Sequence, residues 1–573
     1  MARVVIDPVT RIEGHLRIEV EIENNRVSDA WSSGTMFRGL EKILRGRDPR
    51  EAWIWAQRIC GVCTTVHAIA SVRAVEDALG VEIPENATLV RNIIAGAQNV
   101  QDHVVHFYHL HALDWVDVTL ALKADPAKTS AIAQSLSDWP KSSTTYFKGV
   151  LDRVKTLVSS GQLSLFSSGD WGHSAYKLPP EVNLMAVAHY LEALELQRDF
   201  IRIHAVLGGK NPHPQTFLVG GMASGFDGNE PDAAINPVTI DLMNQLVKQA
   251  QTFVKQVYLP DVIAIAGFYK EWFGYGQGIG NYMAYGDYTN GSIHDPSGFL
   301  FPRGYILGRD VSKVYPLDPK QITESVAHSY YDYAEGKSAV KHPSQGETTP
   351  NYTGPKAPFE FLNTDAEYSW VKSPRYDGKA MEVGPLARTL IAYASGNQQV
   401  KKLVDGTLAT LGAPVTALFS TLGRVAARAL EAGIMVDQLQ PWVDKLNDNM
   451  AHGNVKIHNG EKWDPESWPK SCQGFGLHEA PRGALGHWIE IENKKIANYQ
   501  AVVPSTWNAG PRDGQGQRGA YEAALQGTPI ADPQRPLEVL RTVHSFDPCM
   551  SCAVHVVRAD GTEYLGSPIE LPA

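Results

Sequence analysis

The sequence predicts an α+β fold, mainly helical, with a central bundle of long helices, small peripheral β-sheets and extended irregular segments. Three observations carry that prediction. Long stretches repeat their apolar residues with the helical period, period-two alternation is confined to short runs near the two ends, and one stretch rich in Gly, Pro, Tyr and Asn has no period.

Alternation over residues 15–22, then Asn24-Asn25 and Val27, predicts a strand, turn and strand near the N-terminus. Over residues 86–123, Leu89, Ile93, Ile94, Val100, Val104, Phe107 and Leu110 fall near one stripe, with Pro126 beyond them, which predicts a long buried helix. A second helix is expected over 180–207, opened by Pro179-Pro180-Glu181 and closed by Gly208-Gly209. Further helices are expected over 240–257, 385–395 and, with interruptions, 414–450. Between about 267 and 376 the chain reads as irregular with short strands, wrapped around the core. Two hairpins are expected late, one pairing 487–492 with 496–503 around Asn493-Lys494, the other over 554–565 around Asp560-Gly561. No internal repeat is visible.

Composition excludes several classes. With 43% apolar and 20% charged residues in 573, the chain can bury a large core and is not a disordered one. A net charge of -10 without a Lys/Arg block gives nucleic acid nothing to grip. Asp7 and Pro8 arrive before an apolar segment of signal-peptide length, and no run of eighteen apolar residues occurs. Any export or membrane link is therefore expected to come from another chain.

Five cysteines are too few for a disulfide scaffold in a chain this long, so their placement matters more. Cys60 and Cys63 flank Gly61-Val62 near the start, Cys549 and Cys552 flank Met550-Ser551 near the end, and Cys472 stands alone. Two Cys-x-x-Cys pairs make a four-thiolate site, which suits zinc, copper(I), iron-sulfur clusters and other soft ions, so ligand type does not choose the metal. Structural zinc is the plainest reading. Against it, almost the whole chain separates the two pairs, which fits a central active site better than a local staple. Two independent redox dithiols are a third reading, but neither pair follows a strand in a βαβ unit.

Arg58-Ile59-Cys60-Gly61-Val62-Cys63-Thr64, with His67 after it, and Asp547-Pro548-Cys549, with Cys552 and His555, resemble the two signature motifs of the nickel-iron hydrogenase large subunit. Residues 7–15, 37–41, 479–483 and 503–508 also resemble family segments, so the likeness spans essentially the whole chain, and its details look closest to the uptake, membrane-associated branch. The resemblance implies nickel held by all four thiolates, with Cys60 and Cys549 terminal and Cys63 and Cys552 bridging to an iron that carries one carbon monoxide and two cyanides. It implies that Glu13 relays a proton from Cys549, that Arg482 sits above the metals fixed by Asp102 and Asp547, and that Pro481 and Ser505 neighbour the cyanides. His67 would support a bridging sulfur. Glu41, His555 and a backbone carbonyl around Ala501 would hold Mg2+. Read without the resemblance, Glu13 is a capping or salt-bridging carboxylate, Asp547 a turn residue and Arg482 a surface charge. His103, His106 and His109 share the helix of Asp102, but no matching carboxylates complete a metal motif, so they read as satisfied core or interface groups.

The resemblance also implies a catalytic domain over residues 1–555 and a C-terminal extension, 556–573, that a maturation protease removes after nickel-insertion factors have acted. Hydrogen oxidation releases two electrons, and Cys472 alone cannot ligate a relay cluster. An iron-sulfur small subunit is therefore expected, in a heterodimer or a dimer of heterodimers, passing electrons to a membrane cytochrome b or a similar acceptor. The expected place is the periplasmic side of the membrane, with export through the small subunit. A hydrogen-sensing subunit, a zinc-stabilised structural protein and a quinone-site scaffold stand as alternatives.

Overall fold

Alternation and turn chemistry set the N-terminal sheet. Strands β1 (Ala2–Ile6), β2 (Leu16–Glu23) and β3 (Arg26–Gly34) pair antiparallel in that order. The β2–β3 turn places Asn24 and Asn25 at positive φ, a conformation asparagine tolerates and tight hairpins require. The structure, a computed structural model, describes residues 2–160, 166, 169–289, 291–355 and 361–550. Cys552, His555, the expected hairpin over 554–565 and the extension 556–573 lie outside the described residues.

Helix α1 (Val66–Leu79) follows the first cysteine pair, and α2 (Glu85–Val105) follows Pro84. Next come α3 (Pro180–Phe200), α4 (Pro237–Phe253), α5 (Pro385–Ala394) and α6 (Thr421–Ala451). α2 packs along α6, and α4 packs on both α6 and α3. Gly96 makes the α2–α6 approach feasible, since a Cβ there would lie 2.9 Å from Met435 Sδ and 3.0 Å from a Leu439 methyl. A three-stranded antiparallel sheet, β4 (Ser471–Ala480), β5 (Gly483–Glu492) and β6 (Lys495–Val502), closes the fold, and α1 lies against β4. Gly476 is the contact: a Cβ there would fall 2.0 Å from the Ala70 carbonyl oxygen, so strand and helix backbones meet directly.

Helices over 180–207, 240–257 and 414–450 form with different ends. α3 stops at Phe200 and a short helix, Arg202–Gly208, completes the stretch, closed by Gly209 in the left-handed region. Asn236 starts α4 early through a capping box with Thr239, and a wide π-turn, Val254–Tyr258, carries the chain into another helix, Leu259–Phe268. The single helix expected over 86–123 ends at Val105. There a π-turn, His106–His111, and a 3-10 turn, Ala112–Asp114, replace it, keeping Phe107 and Tyr108 buried while His106 and His109 find backbone carbonyls. Apolar periodicity does not register that change, because the buried stripe continues through it. The irregular stretch holds short strand pairs, such as Tyr282–Ala284 with Gly304–Ile306.

The largest apolar core lies among the helices. A second one gathers β2, β3 and residues 537–550, and contains Cys60, Cys63 and Cys549. Among the described residues no helix is long and apolar enough to cross a membrane.

Candidate metal centre

Cys60 ends the 3-10 turn Gln57–Ile59 in an extended conformation, and Gly61-Val62 bend the chain so that the Cys63 amide donates to Cys60 Sγ at 3.2 Å. α1 begins three residues after Cys63, so its N-terminal partial charge lies next to the cysteine segment and favours thiolate there. Cys549 arrives from the other end of the chain. Helix α7 (Pro504–Ala509), after β6, offers Ser505 Oγ to the Cys549 amide at 3.1 Å, and helix α8 (Leu537–His544) leads to Asp547 at positive φ. Cys549 then runs beside Glu13 in a parallel bridge, with Glu13 N donating to the Pro548 carbonyl and Met550 N to the Glu13 carbonyl. Backbone hydrogen bonds thus tie the two chain ends together at the site.

The sulfurs converge. Cys549 Sγ lies 3.3 Å from Cys60 Sγ and 3.8 Å from Cys63 Sγ, across sequence separations of 489 and 486 residues. All three lie within 4.8 Å of one another and are at most 3% exposed, and no other group of three such ligands gathers among the described residues. Three buried thiolates pressed together repel one another unless a cation sits among them, so the donor set fits a soft metal. Glu13 Oε2 is 3.4 Å from Cys549 Sγ, which makes it a partner of the thiol rather than a solvated carboxylate.

Arg482 is not a surface charge. It sits in the β4–β5 turn, 3% exposed, with Nε donating to the Asp547 carbonyl oxygen at 3.1 Å. Its two terminal nitrogens reach Asp547 Oδ1 at 3.0 Å and Asp102 Oδ2 at 3.1 Å. Burial alone would lower the guanidinium, but the two carboxylates and the neighbouring cysteines hold it well above its usual range. Burial pushes Asp102 up to about 7 against the pull of Arg482, and raises Asp547 too. Asp547 Oδ2 is buried with no hydrogen-bond partner. Asp547 is a turn residue as well, at positive φ.

His67, Arg482, Ser505, Cys63 and Cys549 line one small cavity, while Pro481, the neighbour of Arg482 in the chain, is not part of its lining. His67 Nδ1 lies 3.0 Å from His487 Nε2. Glu41 and Ala501 meet in a separate chamber with Glu324, Lys372 and Tyr499. There the Ala501 amide donates to Glu41 Oε1 at 3.0 Å, Lys372 Nζ stands 3.8 Å from Glu41 Oε2, and Glu324 Oε1 is buried without a partner. Two carboxylates, one of them with an orphaned oxygen, fit a hard cation with its waters.

The three histidines of the α2 region point to different places: His103 to Glu431 at 2.9 Å, His106 to the His544 carbonyl at 2.6 Å and His109 to the Tyr190 carbonyl at 3.2 Å. Gln98 was not anticipated. Its Nε2 donates to Asp102 Oδ1 at 2.6 Å and to the Val62 carbonyl at 3.0 Å, tying the first cysteine loop to the arginine clamp. Its position four residues before Asp102 was the available signal. Lys372, Glu324 and Arg428, which donates to the Ser545 carbonyl, carried none.

Residues 38–555 match the profile of a family described as nickel-dependent hydrogenase, and residues 3–33 one described as HoxL-like. The uptake hydrogenase large subunit of Rhizobium leguminosarum bv. viciae is 52% identical, over 98% of this chain and 96% of that protein. The hydrogenase-1 large chain of Escherichia coli K12 is 49% identical with the same coverage. Among solved structures, the reduced Ni-Fe-Se hydrogenase of D. vulgaris Hildenborough superposes with a TM-score of 0.74 at 34% identity, covering 97% of this chain and 100% of that one.

Proposed function

We propose a site assignment that proceeds from one fact: this chain belongs to the nickel-dependent hydrogenases, as a large subunit. It is a catalytic subunit for hydrogen uptake, H2 → 2 H+ + 2 e−. The observation that carries the assignment is the meeting of Cys60, Cys63 and Cys549 beside Glu13.

In this reading Cys60, Cys63, Cys549 and Cys552 would hold a nickel-iron group, with CO and CN as the iron's small ligands. When bound, that Ni-Fe group polarises hydrogen for heterolytic cleavage and takes up the electron pair. Cys549 Sγ accepts the proton and passes it to Glu13 Oε2, 3.4 Å away. Asp102 and Asp547 keep Arg482 charged and fixed above the thiolates, where a preorganised guanidinium needs no reorganisation as charge develops. Pro481, Ser505 and Arg482 would surround the diatomic ligands, and His67 would support a bridging sulfur. Glu41, the Ala501 carbonyl and His555 would hold Mg2+.

The electrons leave through an iron-sulfur small subunit, because among the described cysteines only Cys472 lies outside the site. The heterodimer, or a dimer of heterodimers, is placed at the periplasmic face of the membrane and hands electrons to a cytochrome b or similar acceptor. Nickel-insertion factors load the site in domain 1–555, and a protease then removes 556–573. Metal analysis of the purified assembled enzyme, with infrared spectra for CO and CN and an intact mass, tests all of this. Nickel, three diatomic bands and a mass lacking 556–573 are expected; active enzyme with zinc and no nickel, or with its tail intact, refutes the corresponding part.

A further inference from the structure

His67 lines the thiolate cavity, and its Nδ1 begins a chain of hydrogen bonds that leads away through protein. Nδ1 meets His487 Nε2 at 3.0 Å, and His487 Nδ1 meets the Tyr499 hydroxyl at 2.6 Å. All three side chains are buried, and Tyr499 lies on the wall of the Glu41 chamber. The chain therefore runs through protein from one candidate metal site to the other.

A row of two imidazoles and a phenol has two polarities. If the Tyr499 O–H donates to His487 Nδ1, His487 must carry its proton on Nε2 and donate to His67 Nδ1, which leaves the His67 proton on Nε2. If His487 instead donates to the phenol oxygen, His67 must carry its proton on Nδ1, and its Nε2 is a lone pair. Only the first arrangement gives the sulfurs a donor.

We propose that Tyr499 and His487 are positioning residues that set the tautomer of His67, running Tyr499 → His487 → His67, so that His67 presents an Nε2–H to the thiolate cavity. The proposal rests on the nickel-thiolate reading above and extends it beyond the residues that line the cavity. Both ends of the chain select the same polarity. A phenol O–H is a stronger acid than a neutral imidazole N–H, and an imidazole nitrogen is a stronger base than a phenol oxygen, so O–H···N is preferred at Tyr499. At the cavity, electron-rich sulfur takes a hydrogen bond and repels a lone pair. All three side chains are buried, which disfavours a charge on either ring or on the phenol and leaves a neutral row. The β5–β6 pairing holds the register that makes the chain: Tyr499 and His487 lie on adjacent strands, and His67 lies on the first turn of α1 beneath them.

Neutron diffraction from the deuterium-exchanged assembled enzyme reads the polarity directly. Deuterons on Tyr499 Oη, His487 Nε2 and His67 Nε2 are expected; a deuteron on Nδ1 of either histidine overturns the proposal. Tyr499→Phe supplies the second test, since it removes the donor that orients the row. Its nickel content should match the parent enzyme while the CO and CN infrared bands shift or split into two sets. Bands identical to the parent's overturn the positioning role. If the parent itself shows no such bands, the nickel-iron assignment fails, and the neutron map still reports which way the chain runs.

Discussion

Replacing Glu13 with Gln isolates proton transfer from everything else at the centre. Glutamine keeps the length and shape of the side chain, and the backbone bonds of Glu13 to Pro548 and Met550 do not involve it, so the sulfur cluster should assemble unchanged. What disappears is a base 3.4 Å from Cys549 Sγ. A positioned general base contributes roughly 10²–10⁴ in rate, and at about 1.4 kcal/mol per tenfold that is about 3–5 kcal/mol of barrier. Glu13→Asp keeps the base but withdraws it by one methylene, roughly 1 Å, a misplacement worth about 10²-fold. The assay is hydrogen-dependent dye reduction with nickel content and infrared bands measured on the same samples. Expected is a fall of at least about 10²-fold in both variants, with metal content and bands unchanged and Gln the worse of the two. Full turnover by the Gln variant refutes the relay, since Glu13 would then be a bystander.

Other expectations follow from neighbouring geometry. Arg482→Lys keeps the charge but loses the fork that spans Asp547 and Asp102, so kcat should drop on the order of 10²-fold at unchanged nickel loading. At Asp114, burial alone would raise the carboxyl, but Arg11 and His544 outweigh it and hold it well below the usual range. Its stabilising contribution is therefore present above the ordinary carboxylate pKa and lost as pH falls through the lower folded value. Asp114→Asn should cost about 3–5 kcal/mol near neutral pH by stranding the Arg11 charge, and the gap between variant and parent in thermal inactivation should narrow in strong acid. Gly476→Ala forces a methyl against the Ala70 carbonyl and should lower the unfolding temperature by an amount worth about 1–3 kcal/mol or more; an unchanged transition contradicts the strand–helix contact.

The parts of the site written as local pattern were readable from residues alone. Two Cys-x-x-Cys pairs pointed to one thiolate site, of which Cys60, Cys63 and Cys549 converge among the described residues, and Asn24-Asn25 and Asn493-Lys494 declared their hairpins, since all four residues take positive φ. Helix ends were less legible, because α2 gives way to a π-turn at His106 without interrupting its apolar stripe. Arg482 shows the limit most clearly. Hydropathy places a lone arginine at the surface, and only the convergence of α2, the β4–β5 turn and the segment after α8 supplies the two carboxylates that let it be buried. The same holds for Glu13, whose role depends on a backbone bridge to a residue 536 positions away. Such pairings belong to tertiary structure, and the sequence reached them only through its likeness to a known family.

The central claim is that both ends of the chain grip a single nickel ion through sulfur. Nickel-edge X-ray absorption on the assembled enzyme measures that directly. Four sulfur neighbours at about 2.3 Å, an ordinary metal–thiolate distance, are expected, falling by one in Cys60→Ser. A shell of nitrogen and oxygen, or a spectrum indifferent to that substitution, contradicts the account.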